Sequence, residues 1–408
     1  MLNRFWADRF NRLWLGQSIS QVGTSISGVA IPLTAVLVIH ASPFEFSLLG
    51  VARFLPWIFV ALPAGVMVDR YRRQAVLIRA DLARALILGA IPLAALAGWL
   101  SMPWLLAAAL GAGVASVFFD VAYLSFLPAL VERTGLRQGN AKLEASRAAG
   151  AVAGEGMAGV LVSALTAPFA IALDALSYLA SALAIRSIPV VERARPAAPP
   201  QLLRELRAGL ALVWSDRRLR LTTGSATTVN FARWIWASLF ILYASGALAI
   251  SPIGIGLIFA SGSLATVLGA RLTHRYGERL GNQRALLLGM GGIVVCPLLI
   301  PLAPVSPFAL PILALAYAGT NGLAVVWDIT CISLRQQIAG EAAAGRVNAT
   351  ARFLMYGLAP TAGALTGGVL ASLLGLQAAI WVGVLTSFAA LLWLRGLPRW
   401  LDGEPAGG

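Results

Sequence analysis

The chain has 408 residues, of which 59% are hydrophobic and only 12% are charged, and its formal net charge is +14. A soluble globular domain is about one quarter charged, so this composition argues against a soluble enzyme or binding domain and favours a protein surrounded by lipid. Almost all of the positive charge is arginine, and most of it lies in the segments between the apolar ones. This distribution argues against nucleic-acid binding and suits the orientation of helices in a membrane.

Twelve apolar segments follow one another along the chain, each of roughly 18–27 residues and therefore long enough to cross a hydrocarbon core of about 30 Å. They cover 13–39, 46–68, 76–97, 103–127, 146–165, 169–188, 219–243, 252–273, 284–303, 308–332, 348–373 and 378–395. The sequence therefore predicts an all-α integral membrane protein with twelve transmembrane helices, numbered here as spans one to twelve.

The connections between spans fall into two classes by charge. Alternate connections contain no Lys or Arg, and these are 40–45, 98–102, 166–168, 244–251, 304–307 and 374–377. The other connections and both terminal segments all contain arginine. By the positive-inside rule both termini are expected in the cytoplasm. No cleavable signal peptide is expected, because Arg12 leads directly into a full-length apolar segment.

The longest polar stretch divides the chain into two halves. It begins with a Pro/Ala-rich piece and continues with apolar residues at helical spacing from Leu202 to Val213, which indicates an amphipathic surface helix. The predicted division is a six-helix half at 1–188, a cytoplasmic linker at 189–218 and a second six-helix half at 219–408.

The two halves are related by an internal repeat. The segment 65–73 contains Asp69, Arg70 and Arg73, and a weaker copy at 269–279 contains Arg275 and Arg279. Asp120 and Asp328 are 208 residues apart, and the same offset relates Ser125 to Ser333 and Asn140 to Asn348. Parallel repeats of this kind are typical of secondary transporters built from two six-helix halves.

The pattern Gly65-x-x-x-Asp69-Arg70-Tyr71-x-Arg73 resembles the loop 2–3 signature of the major facilitator superfamily. Together with Leu13-Trp14-x-Gly16-Gln17 and Asp174-Ala-Leu-Ser177-Tyr178, it resembles the drug:proton antiporter group that includes macrolide exporters and enterobactin-type siderophore exporters. The resemblance implies the major facilitator fold and proton-coupled export by alternating access. Span five departs from the pattern, because Glu155 follows Gly154 where the group typically has proline.

Glu155 is the first candidate for proton coupling. It lies near the middle of span five, and an ionisable group at membrane depth is costly unless it has a function or a partner. Gly154, Gly156 and Gly159 allow a second helix to approach and desolvate the carboxyl group. The alternative, weighed as equal, is a structural ion pair with an arginine of similar depth.

A substrate cavity is expected at the bilayer midplane, lined by spans one, four, seven and ten. Arg233 is its one candidate cation, and it would hold an anionic substrate group or pair with Glu155. The other candidate lining residues are polar or aromatic: Gln17, Gln21, Thr24, Tyr123, Asn230, Trp234, Asn321 and Trp327. This mixture suits drugs, siderophores or secondary metabolites better than sugars or phosphates.

The aspartates of the repeat suggest a cytoplasmic gate. Asp120 is expected to pair with Arg70 or Arg73, and Asp328 with Arg275 or Arg279, as latches that break when the protein opens inward; the hairpin residue Asp69 belongs to the same gate. The patterns Gly150-x-x-x-Gly154 and Gly363-x-x-x-Gly367 are helix-packing signals that are expected to face the opposite half.

The leading interpretation is an exporter of a small amphipathic molecule by proton antiport in a bacterial inner membrane. The expected partners are the substrate, the proton and the bilayer, with no nucleic acid, no cofactor and no metal, in a monomer. The alternatives are a lipid or lysophospholipid flippase of the same fold and a non-transporting membrane sensor. An enzyme is the weakest candidate, since no cluster of His, Cys and carboxylate residues has metal-ligand spacing.

Overall fold

A computed structural model describes residues 2–131, 135–190 and 202–395. The helices in this part of the chain are α1 Leu2–Leu37, α2 Pro43–Phe59, α3 Ala61–Arg70, α4 Arg73–Leu96, α5 Met102–Leu130, α6 Leu136–Leu165, α7 Ala167–Arg186, α8 Leu202–Ser215, α9 Arg217–Ala237, α10 Phe240–Leu242, α11 Pro252–Val295, α12 Ala309–Arg352, α13 Ala359–Leu374, α14 Leu376–Ser387 and α15 Ala390–Leu394. Two π-helical segments, Tyr243–Ala247 and Phe353–Leu358, and a 3₁₀ segment, Cys296–Leu299, interrupt this series.

Nine helical segments among the described residues are long and apolar enough to cross a membrane. Three of the twelve predicted spans are not among them. Span two is divided at Val60 into α2 and α3, span three contains three charged residues within α4, and span seven, in α9, is rich in threonine and arginine. The count of twelve therefore stays a prediction for these three segments.

Two connections differ from their prediction: the one between spans eight and nine is reduced to a turn at one residue, and the one between spans ten and eleven is helical. The turn of the second hairpin falls at Gly281, where φ is 71° and ψ is 158°, a conformation that glycine adopts without a steric penalty. The connection at 333–347 was expected to be a loop, but α12 continues through it. Its residues include many good helix formers and no proline, so local preference favours the helix.

The chain contains two compact units, each with its own core. The first comprises Met1–Ala41, Leu55–Pro200 and Ser251–Ala260, and the second comprises Ser42–Phe54, Gln201–Ile250 and Ser261–Gly408. Phe119 and Phe126 are central to a core cluster in the first unit. Trp327 and Met290 belong to one in the second. The boundaries expected at 188 and 219 remain predictions.

The glycine patterns pack helices of the same half together, which corrects the expectation that they face the opposite half. A Cβ atom added to Gly154 would collide with Val22 and Ser25 of α1. A Cβ atom added to Gly367 would collide with Ile235 of α9. The missing side chains let neighbouring backbones approach closely, so these motifs serve the internal packing of each unit.

The start of α2 is held by a capping box. The backbone N–H and hydroxyl of Ser42 donate to Glu45 Oε2 at 2.9 and 2.7 Å, and the Glu45 N–H returns toward Ser42 Oγ at 3.4 Å. These side-chain and backbone hydrogen bonds from Ser42 lower the pKa of Glu45.

The amphipathic segment of the linker forms α8, and Val213 packs with Leu219 and Val347 in a small core cluster of the second unit. The next helix, α9, begins directly after Asp216. The Asp216 Oδ1 atom accepts from the backbone N–H of Arg218 at 2.7 Å and of Leu219 at 3.2 Å. Asp216 is therefore the N-cap of α9.

Replacing Asp216 with alanine is expected to destabilise the protein by about 1 kcal/mol, the usual cost of losing an N-cap. Burial acts to raise the pKa of Asp216, but hydrogen bonds from Arg218 and Leu219 outweigh it and lower the pKa. The cap's contribution is therefore present above the ordinary pKa and is lost as the pH falls through the lowered one. Thermal unfolding in detergent at two pH values checks this, with Asp216→Asn, which keeps the capping oxygen, as the control. Equal melting temperatures for the alanine variant and the wild type would contradict the assignment.

Candidate functional site

A hydrogen bond between two predicted cavity residues joins α9 to α12. Arg233 Nη2 donates to Asn321 Oδ1 at 2.8 Å, and both residues are half-buried. Asn321 Nδ2 donates to the carbonyl oxygen of Tyr317, one turn earlier in its own helix, at 2.9 Å. This second bond fixes the amide with its oxygen toward Arg233. The sequence placed these two residues in one cavity, and the structure brings them together.

Aromatic rings accompany this pair. The Trp234 ring meets the Phe54 ring edge-on, with centroids 4.5 Å apart, and the guanidinium of Arg53 lies 5.8 Å from the Phe54 centroid. Tyr317 packs against Phe240 with a centroid distance of 4.4 Å. A cation and an amide beside several rings form a surface that offers both hydrogen bonds and apolar contact.

Asp328 lies within electrostatic range of two arginines, Arg233 and Arg335. Arg335 is only 5% exposed, and its guanidinium donates to the Cys331 carbonyl at 3.2 Å and contacts Met355 Sδ at 3.2 Å. Sequence reasoning counted Arg335 as a loop residue and missed it. The available signal was its position seven residues, or two helical turns, after Asp328, which places both side chains on one face.

The expected gate residues lie at the ends of helices. Arg70 is the last residue of α3 and is exposed, while Arg73 begins α4 and is half-buried. Arg275 and Arg279 are exposed in α11. The side chain of Asp69 lies outside the described residues. The pairing of these arginines with the two aspartates remains a prediction.

Asp120 and Tyr123 are both half-buried on α5. Tyr123 stacks on Phe119 with centroids 5.9 Å apart, and Asp120 and Glu144 both act on it electrostatically. Tyr123 therefore packs against the core of the first unit and lies within electrostatic range of two acidic side chains.

Glu155 is half-buried on α6, beside a close contact with the first turns of α11. A Cβ atom added to Gly256 would lie 2.8 Å from the Glu155 carbonyl oxygen, and one added to Gly159 would collide with Pro252. The glycines near Glu155 thus do admit a second helix, as expected. The role of Glu155 in coupling stays a prediction.

The cavity residues expected from span one contact α7 and α6. Gln17 Nε2 donates to Ser181 Oγ at 3.0 Å, and Thr24 Oγ1 lies 2.8 Å from the Tyr178 hydroxyl. Gln21 packs against Gly150. On span seven, the Asn230 amide donates to the Ala226 carbonyl in its own helix at 2.9 Å.

Trp327 was expected in the cavity lining, and the structure corrects this. It is 1% exposed and belongs to the core cluster around Met290. Gly289 lies directly against it, since an added Cβ would be 2.8 Å from the Trp327 backbone nitrogen. The missing side chain at Gly289 lets the backbone of α12 approach at Trp327, and the buried Trp327 side chain is part of the core of the second unit.

Sequence reasoning kept Asp174 as an alternative to Glu155 for proton coupling, but it missed the buried ion pair beside Asp174 in the first unit. Arg84 forms an ion pair with Asp81, one turn apart on α4, and Asp174 faces them from α7. Asp81 is 0% and Asp174 1% exposed. The signal in the sequence was an Asp-x-x-Arg pair inside the apolar segment 76–97, where each charge requires a partner.

An apolar cavity of about 680 Å³ lies within the second unit between α11 and α12. Its lining includes Leu268, Leu272, Leu288 and Leu323, and Arg279 supplies a positive charge. Its volume is in the range of cavities that bind small molecules.

Two relatives of the chain are named as efflux proteins. The chain is 25% identical over 295 residues to macrolide efflux protein A of Streptococcus pyogenes, which covers 70% of this chain and 72% of that protein. It is 27% identical over 368 residues to the multidrug efflux pump Tap of Mycolicibacterium fortuitum, covering 87% of each.

Solved structures show the same fold at low identity. A mutant of the nucleoside transporter NupG superposes with a TM-score of 0.79 at 11% identity, over 95% of this chain and 99% of that one. A bacterial homologue of the iron transporter ferroportin superposes with a TM-score of 0.71 at 16% identity, over 96% and 98%. The family model described as Major Facilitator Superfamily matches residues 13–359. The chain is thus a multi-pass, all-α membrane protein that belongs to the major facilitator superfamily of transporters.

Proposed function

We propose that this protein exports a small amphipathic molecule, such as a drug, a siderophore or a secondary metabolite, by proton antiport with alternating access. The observation that carries the proposal is the Arg233–Asn321 pair beside the aromatic rings of Phe54 and Trp234. The names of the macrolide and multidrug efflux relatives support it. The bacterial inner membrane, with both termini in the cytoplasm, is the proposed location.

The chemistry of this pair suits a substrate with a hydrogen-bond acceptor or an anionic group on an apolar body. A guanidinium remains charged in any protein environment and presents a planar fork of donors. The neighbouring rings supply apolar contact area with limited loss of side-chain freedom. Gln17, Gln21, Thr24, Tyr123 and Asn230 are proposed to complete the substrate path.

Glu155 is the proposed coupling residue of this mechanism. A carboxyl group at membrane depth is costly unless it is functional or paired, and Glu155 is the acidic residue where the related group typically has proline. A proton bound by Glu155 would be released on one side of the membrane in exchange for substrate moving the other way. The latch pairs of Asp120 and Asp328 are proposed to open and close the cytoplasmic side.

The test is substrate uptake into everted vesicles with an imposed pH gradient. Dyes, macrolides and siderophores form the panel, and wild type is compared with Glu155→Gln. Gradient-driven uptake that the variant loses, at equal amounts of folded protein, is the expected result. Glu144→Gln on the same helix is the matched control, because Glu144 forms an exposed ion pair with Arg147. Undiminished gradient-driven uptake by Glu155→Gln would remove Glu155 from the mechanism.

A lipid flippase of the same fold is the second candidate, and the apolar cavity between α11 and α12 favours it. A cavity with one arginine among leucines suits an acyl chain attached to an anionic headgroup. Reconstitution with fluorescent phospholipids distinguishes the two functions. Translocation of the lipid, with no transport of any panel member, would replace the export proposal.

A further inference from the structure

Four helices of the first unit, α1, α4, α5 and α7, surround the cluster of Asp81, Arg84 and Asp174. The guanidinium carbon of Arg84 lies 4.2 Å from the Phe119 ring centroid and 4.1 Å from the Tyr178 ring centroid. It is therefore fixed between two rings while it pairs with Asp81. A cation held in this way has little freedom to follow a second carboxylate.

The cluster contains two carboxyl groups and one guanidinium. Asp81 Oδ2, Asp174 Oδ2 and Arg84 Nε are all buried, and none has a hydrogen-bond partner within the part of the chain that the structure describes. The other oxygen of Asp174, Oδ1, lies 3.1 Å from Ser177 Oγ, whose hydroxyl donates both to it and to the Asp174 carbonyl oxygen at 2.8 Å. Two ionised carboxylates beside one arginine would leave a net buried negative charge, which is strongly unfavourable. A single added proton removes that charge.

Side chains from α4, α1 and α7 itself surround Asp174. From α4, Asp81 and Arg84 act on it electrostatically, and from α1, Ser27 lies close to the carboxyl group. Tyr178, one turn later on α7, shares this environment. Gly23 of α1 permits the close approach, since a Cβ there would lie 2.7 Å from Asp174 Oδ1.

The duplicated half of the protein packs without these charges. At the offset of 208 residues that relates Asp120 to Asp328, the positions of Asp81 and Arg84 correspond to Gly289 and Gly292. Both glycines lie directly against α12. The repeated helix arrangement therefore does not require an ion pair at this place, which indicates that the charges of the first unit serve another purpose.

An exposed residue connects the cluster to its surroundings. Thr24 is exposed on α1, and its hydroxyl lies within hydrogen-bonding distance of the buried Tyr178 hydroxyl. Tyr178 in turn packs on Arg84. The Thr24–Tyr178 hydroxyl pair therefore lies between an exposed position of α1 and the ring that packs on Arg84.

We propose that Asp81, Arg84 and Asp174 form a proton-binding site, in which the two carboxyl groups share one proton. Binding forms a single O–H bond on an unpartnered carboxylate oxygen with a proton taken from water, and release breaks that bond. Protonation converts one acceptor oxygen into a donor and removes the net buried negative charge. The inference rests on the proposed proton antiport. It gives the protein a second proton-binding site, separate from Glu155.

The first experiment is infrared difference spectroscopy of the full-length protein in lipid, without substrate, across a pH titration. A protonated carboxyl band is expected at low pH in the wild type, and Asp174→Asn is expected to remove or strongly reduce it. Ser177→Ala, a milder variant, should move the band to higher frequency because one hydrogen bond to the carboxyl group is lost. Asp216→Asn is the control, since that carboxylate lies outside the cluster. A band of unchanged intensity and position in Asp174→Asn, Asp81→Asn and Ser177→Ala would overturn the proposal.

Vesicle transport separates this site from the proposed function. We expect Asp174→Asn to lose uptake driven by the pH gradient while it retains exchange of labelled for unlabelled substrate. Loss of the band in Asp174→Asn, with a wild type that shows no response to a pH gradient, would leave the site standing and refute proton antiport. Gradient-driven uptake that survives in both Asp174→Asn and Asp81→Asn would refute the site's part in coupling and leave antiport through Glu155.

Discussion

Replacement of Arg84 by glutamine is expected to destabilise the protein by about 3–5 kcal/mol, the usual cost of removing one partner of a buried ion pair. Asp81 is fully buried, so its charge would be left without the guanidinium. The Phe119 and Tyr178 rings would also lose the cation between them. Thermal unfolding in detergent measures the effect.

The matched variant is the double replacement Asp81→Asn with Arg84→Gln, which removes both charges of the ion pair. It is expected to recover a large part of the lost stability, because replacing both partners leaves no uncompensated charge from the pair. Arg79→Gln, at an exposed position of the same helix, is the control for loss of a positive charge. If Arg84→Gln melts at the wild-type temperature, the ion pair does not stabilise the unit.

Replacement of Arg233 by alanine is expected to weaken binding of an exported substrate that carries an anionic or acceptor group about 10- to 100-fold, corresponding to about 1.5–3 kcal/mol for a hydrogen bond to a charged group. Arg233→Lys should recover only part of this, because an ammonium group lacks the planar fork. Asn321→Ala should weaken binding less, since it removes only the partner that orients Arg233. Equilibrium binding of labelled substrate to purified protein provides the measurement.

Arg217→Gln is the control for Arg233, because Arg217 is exposed at the other end of the same helix. Its affinity for substrate should equal that of the wild type. An unchanged dissociation constant in Arg233→Ala would place the substrate away from the Arg233–Asn321 pair. An equal loss in Arg217→Gln would show that net charge alone, and not the geometry of the pair, affects binding.

Much of the fold was predictable from the sequence, because lipid imposes strong constraints on composition. Each of the six arginine-free connections joins two successive spans. Each coincides with a break between helices in the structure, as between Leu37 and Pro43 or between Leu165 and Ala167. The helical connection at 333–347 was not predictable in this way. The hydropathy of its polar residues is compatible with a loop and with a surface helix, so hydropathy does not distinguish the two. The helix propensity of these residues favours the helix.

The candidate site was predictable only in part. Arg233 and Asn321 were assigned to one cavity because each is unusual at membrane depth, and they do form a hydrogen bond. Trp327 carries the same kind of signal but lies in the core. An aromatic residue is equally at home in a cavity wall and in a packed interior, so its residue type does not distinguish the two.

The sequence by itself determined the class of protein, the positions of most helices and the internal repeat, because hydrophobic length, loop charge and an offset of 208 residues are properties of the linear chain. Only the tertiary structure decided which charges meet. Asp81 and Arg84 are separated from Asp174 by about ninety positions, and their proximity depends on how α1, α4 and α7 pack. Electrostatic energy falls with distance in space and is indifferent to separation along the chain, so this buried cluster became visible only in the folded protein.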